Sequence, residues 1–203
     1  MTRAAGAGVA TISGLAANGQ PAGQQLWWNR RWLLVTAAAL VACLLIFLRR
    51  PDALLNPQFL AEDGTYYYAQ AYNLGGLRAL FLPAAGYLLI TDRLIAAVAV
   101  LFPMAWAPAL FNVYAILWQA APVAFLLTRR FDQLIPNWYA RGAIALLYLA
   151  IPNSSELDAS VTYIQWHLAL LAFLVVIAAP RSGRAWRVFD GAVILLCGLD
   201  GPF

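Results

Sequence analysis

The 203-residue chain has no lysine, one histidine and two cysteines, and only 11% of its residues are charged. A soluble domain of this size carries about 25% charged residues, so too few polar side chains exist here to cover a wetted surface. The two thiols, Cys43 and Cys197, each lie in an apolar run, which excludes a disulfide framework or thiolate metal site and leaves packing thiols. All thirteen basic residues are arginines scattered between apolar runs, so the net charge of +4 gives no nucleic-acid patch. What is abundant is apolar: 63% of the residues, with mean hydropathy +0.71. Lipid must cover part of such a chain.

Residues 1–26 are rich in Ala and Gly without apolar period and read as a disordered tail. The remainder, 27–203, reads as one transmembrane domain. Spans are expected at about 32–48, 106–128, 138–153, 162–179 and 188–203. Trp27, Trp28 and Trp32 mark the entrance of the first, which no cleavage site follows.

Loop charges set the orientation. Residues 129–141 carry Arg129, Arg130 and Arg141 against Asp132, and residues 181–187 carry three arginines and no acid. Between them, 152–161 carries Glu156 and Asp158 and no base. Basic, acidic, basic reads as cytoplasm, outside, cytoplasm. With a cytoplasmic tail, residues 49–105 must then cross the bilayer zero or two times. That stretch holds one strong apolar run, Tyr87–Phe102, containing Thr91, Asp92 and Arg93 and bracketed by Pro83 and Pro103. Charges at bilayer depth are costly, so this run is expected along the outer interface. The alternative is an external tail with Tyr87–Phe102 as a span. The predicted class is all-α: a polytopic transmembrane helix bundle with juxtamembrane interface helices in the first external loop. The expected location is the plasma (inner) membrane, N-terminus cytoplasmic.

Three groups of residues could carry chemistry. Glu62 and Asp63, in Asn56-Pro57-Gln58-Phe59-Leu60-Ala61-Glu62-Asp63-Gly64-Thr65, are adjacent acids just beyond the first span. Adjacent acids repel, which raises one pKa unless a cation is near, and suits a divalent-cation site or a general base. The same text also fits a turn or helix cap. Tyr66, Tyr67, Tyr68 and Tyr72 fit an interfacial aromatic belt or a stacking surface for sugar rings. Glu156 and Asp158, with Gln165, Trp166 and His167 entering the next span, face the side of Glu62 and Asp63 in this topology. They read as plain loop acids and an interfacial His, or as parts of a shared cation site. Arg93 could pair with Asp92 or meet a phosphate, which its planar fork suits.

This order of parts resembles the GT-C superfamily of membrane glycosyltransferases. Glu62-Asp63 stands where that family places a catalytic Asp beside a second acid, at the start of the first external loop. Pro83-Ala84-Ala85-Gly86-Tyr87-Leu88-Leu89 is similar to the juxtamembrane segment that follows. Text similar to Asn56-Pro57, Ala61-Glu62-Asp63-Gly64, Gly86-Tyr87-Leu88 and Gln165-Trp166 recurs in poorly described bacterial GT-C-like proteins. The resemblance covers about residues 33–200 and implies the N-terminal part of a longer enzyme. It implies sugar transfer from a polyprenyl-phosphate donor to a glycan, lipid or protein acceptor outside the cytoplasm. Asp63 would be the general base, with Glu62 beside it. Arg93, Tyr87, Gln165, Trp166 and His167 would contact substrate. Glu156 and Asp158 would orient the base or hold an optional Mg or Mn ion. The other functions open to the sequence are a transporter or flippase component and a non-catalytic membrane subunit.

Overall fold

The computed structural model describes residues 22–84, 86–152 and 154–201. Most of the expected tail, residues 1–21, lies outside them, as do Phe203 and the residue before it. The described residues form helices and turns without a named strand, which matches the all-α expectation. The chain divides into two units, Met1–Leu34 and Val35–Phe203.

Helix α1 is Ala22–Arg49, and the short α2 is Asp52–Leu55. A π-helical segment, Asp63–Tyr68, runs without a break into α3, Ala69–Leu74. Then come α4, Gly76–Ala79, and α5, Ile90–Ala99. The longer helices are α6, Ala107–Leu126, α7, Trp138–Leu149, α9, Ile164–Ile177, and α10, Arg184–Asp200, with one turn, α8, at Ser154–Leu157. Asn137 starts α7 by accepting the Tyr139 and Ala140 N–H groups on its side-chain oxygen, a usual N-cap.

Two helical stretches among the described residues are long and apolar enough to cross a membrane, Arg30–Arg49 and Met104–Leu126. Val161–Ile177 is apolar but shorter. Helix α7 has 12 residues and ends at Leu149, short of the 153 expected. At about 1.5 Å per residue it spans roughly 18 Å. Pro152 has no N–H to continue the ladder, and the Arg49 guanidinium donates to the carbonyls of Leu149 and Ile151 at that end. The apolar run Tyr87–Phe102 yields only the ten residues of α5. Such a helix covers about 15 Å, half a hydrocarbon core.

Two cores result. One joins Val35, Ala42 and Ile46 of α1 to apolar residues of α6, α7, α9 and α10. The other lies under the π segment and joins Tyr67, Tyr68 and Ala71 to α5, to Phe111 of α6 and to Ile164 of α9. Polar contacts sort by helix end. Arg50 donates to the Asp158 carbonyl at 2.6 Å, Asn112 to the Ala53 carbonyl at 2.7 Å, and Asp200 accepts the Thr91 N–H at 2.8 Å. At the other ends, Arg130 donates to the Ala179 carbonyl at 3.0 Å and pairs with Asp190, and Arg141 pairs with Asp132 at 2.8 Å.

Candidate functional site

The approach to the paired acids is built by packing. Phe59 meets Phe111 edge-on at 5.2 Å between ring centres and Tyr68 at the same distance. A Cβ at Gly64 would sit 2.8 Å from the Phe59 ring, so only glycine lets the π segment close onto it. Ala61 turns the chain with φ 42°, and the Asp63 N–H donates to the Leu60 carbonyl at 2.9 Å. The Leu60 N–H reaches Asp63 Oδ2 at 3.4 Å. A turn therefore precedes the acid, which begins a helical segment three residues before the Tyr66 start that the cap reading expected.

Asp63 is fully buried. Thr162, in the turn before α9, donates its hydroxyl to Asp63 Oδ1 at 3.1 Å, and Glu62 Oε2 lies 3.4 Å from the same hydroxyl. One hydroxyl proton serves one carboxylate at a time. Burial pushes the Asp63 carboxyl up to about 7. Thr162 and the Leu60 N–H pull it down, and Glu62 pushes it up. Glu62 itself is exposed.

Asp92 of α5 is also buried, and its Oδ1 has no hydrogen-bond partner. Burial, then Asp200 and Asp63, push its carboxyl well above the usual range. Burial, then Asp92, Glu62 and Asp63, also raise the Tyr67 phenol.

Arg93 differs from its expected role. It is fully buried, with Nε donating to the Leu88 carbonyl at 3.1 Å and Nη1 to Gln70 Oε1 and the Ala79 carbonyl, both at 2.9 Å. The rings of Tyr66 and Tyr67 lie 5.7 Å from its guanidinium carbon. Only Nη2 lacks a partner, so the planar fork needed for a phosphate is already used. Arg93 ties α3, α4 and α5 together. Tyr87 is exposed, and its backbone pairs with Ala84.

The expected cation ligands are not brought together. The Asp158 carboxylate pairs with Arg49 at 2.8 Å and accepts from Gln119 Nε2 at 2.6 Å. Glu156 is exposed on α8. Among the described residues no three His, Cys, Asp or Glu side chains converge as a metal site. Glu156 and Asp158 thus do not fit a bound ion, and no step below uses one.

His167 points away from Asp63, toward α7, where Nδ1 lies 2.7 Å from the Tyr148 hydroxyl. The same hydroxyl lies within donating distance of the Gln119 carbonyl, at 3.0 Å. Trp166 is exposed, Gln165 is half-buried, and neither has a described hydrogen bond to Asp63. On the other face of the π segment is a groove of about 480 Å³ lined by Phe59, Gly64, Thr65, Tyr68, Tyr72 and Met104 among others. The rings of Tyr68 and Tyr72 are nearly parallel there, 6.1 Å apart.

Sequence reasoning missed Thr162 as a partner of Asp63, Asp200 as the acceptor for α5, and the amides Asn112 and Gln119. The amides had a signal: each is a polar residue within an otherwise apolar helix.

No family model, no curated protein and no solved structure matches the chain.

Proposed function

We propose that the chain is a membrane glycosyltransferase of GT-C type, built as a polytopic bundle, that moves a sugar from a polyprenyl-phosphate donor to an extracytoplasmic acceptor. The observation that carries this reading is the Asp63–Thr162 contact. It joins the first acidic loop to the turn after the second, as one external compartment requires. The contacts of Arg49, Arg50, Asn112 and Thr91 sit at the same helix ends, and those of Arg130 and Arg141 at the opposite ends. That sorting supports α6, α7, α9 and α10 as successive crossings with α5 along the outer interface.

Asp63, with a carboxyl near 7, has the strength of a general base at neutral pH. The acceptor hydroxyl would replace Thr162 as donor to Oδ1. Its proton passes to Asp63 as its oxygen bonds to the anomeric carbon. The bond from that carbon to the donor phosphate oxygen breaks, and the phosphate leaves with the electron pair. Exposed Glu62 keeps the entrance polar. Radiolabelled sugar transfer in membranes containing the full-length protein tests this. Asp63→Asn should abolish transfer while insertion persists, and normal transfer by that variant would reject the assignment.

One observation favours transport instead. Asp158, Gln119, Tyr148 and His167 form a polar chain between apolar helices. Substrate flux in sealed vesicles that survives Asp63→Asn but not His167→Leu would favour that reading.

A further inference from the structure

The turn between α3 and α5 has an inner face that is fixed and an outer face that is exposed. Inside, Ala79 is fully buried and its carbonyl receives Arg93. Gly76 lies so close to Ala97 of α5 that a Cβ there would stand 3.0 Å from it. Outside, Leu77 is 81% and Phe81 73% exposed, with Leu74 beside them in sequence and also exposed. Arg78 stands between the two, exposed, and is the one charged residue from 64 to 91. Large apolar side chains with that exposure on a turn held rigidly from below need a partner.

The chemistry indicates which partner. Two apolar side chains flanking a single guanidinium match the boundary between acyl chains and lipid phosphates, where Arg buries its stem and presents its fork. The turn is also tied to the helix that leads to α6: Gly76 packs on Ala97 of α5, and Leu101, Met104 and Trp106 beyond α5 are themselves exposed. Met104–Leu126 is one of the two stretches long enough to cross a bilayer.

We propose that residues 74–81 form an interfacial anchor, with Leu77 and Phe81 entering the outer leaflet and Arg78 holding the phosphate of an anionic phospholipid. The anchor rests on membrane embedding and not on sugar transfer. It fixes the depth of α5 and of the π segment through Arg93.

Nitroxide labels test it in the full chain with Cys43→Ala and Cys197→Ala. Leu77→Cys and Phe81→Cys labels in vesicles should be open to oxygen and shielded from a water-soluble nickel complex. Arg78→Gln should increase nickel access at 77 severalfold in phosphatidylglycerol vesicles and leave it unchanged in phosphatidylcholine. Labels at 77 and 81 that are freely open to nickel would overturn the anchor. So would an Arg78 effect reproduced by inorganic phosphate alone, because the fork would then read a free anion. If the cysteine-free background fails to insert, a photoreactive benzoylphenylalanine at position 77 in the native chain gives the same decision. Lipid adducts support the anchor, and exclusive protein adducts reject it.

Discussion

Thr162 donates its hydroxyl to Asp63 across 99 residues of sequence, at 3.1 Å, and so binds the first loop to the entrance of α9. The contact fixes a geometry and also tunes an acid, because a hydrogen bond to a carboxylate favours its charged form. Several measurable consequences descend from it.

The rate of sugar transfer should rise with pH and level off above an inflection at about 7, where Asp63 loses its proton. Thr162→Val removes a hydrogen bond that lowers this value. The inflection should then move to higher pH, as read from kcat/KM profiles of both proteins.

Stability should carry the same signature with a definite sign. Burial raises Asp63 from its ordinary 3.8 to about 7, so the folded chain holds a proton that the unfolded chain has already released. The folded state therefore loses stability as pH rises between those values, and the loss is complete above about 7. Asp63→Asn cannot ionise. Its Tm should fall less than that of the unaltered protein between pH 5 and pH 8 in detergent, and equal falls would contradict the burial argument.

Much of the architecture could be read from residue order, because apolar runs and loop charges report on each helix separately. The helix near 107–126, the entrance of α9 and a helix within the run after Tyr87 follow from that local information. The roles of Arg93 and Asp158 do not. An arginine next to an aspartate suggests an exposed pair, and nothing local reveals that Gln70 and the Ala79 carbonyl will occupy Arg93. Likewise, Asp158 meets Arg49 and Gln119, which lie 109 and 39 residues away, only once α1 and α6 have packed. Partners brought by tertiary packing decide whether a charged side chain is free for a ligand.

Asp158→Ala should lower stability by about 3 kcal/mol, since it leaves Arg49 and Gln119 without their shared acceptor. The loss should be the same with excess magnesium or with chelator. Thermal denaturation under both conditions checks this, and a magnesium-dependent difference lost on substitution would restore Asp158 as a cation ligand.

Gly64→Ala should cost about 1–3 kcal/mol, because the new methyl must displace Phe59 from between Phe111 and Tyr68. Phe59→Leu in the same chain should recover part of the loss. Denaturation midpoints of the two variants decide whether the ring is the obstacle.

Cysteines placed at Glu62 and Ser155 should react with an impermeant maleimide from the same side of sealed vesicles, and one at Ser182 only from the other. Opposite labelling of positions 62 and 155 would break the proposed topology.

The guanidinium of Arg49 closes the carbonyls that end α7, and in the proposed topology this has a further consequence for the surrounding lipid. A helix finished by a cation rather than by additional turns stops roughly 10 Å short of a full hydrocarbon crossing. With α7 as a crossing in the proposed topology, headgroups and water would descend around that end, thinning the bilayer there and forming a local dimple. Hydrophilic molecules could then approach the acidic pair from a hollow in the membrane surface rather than from the open medium.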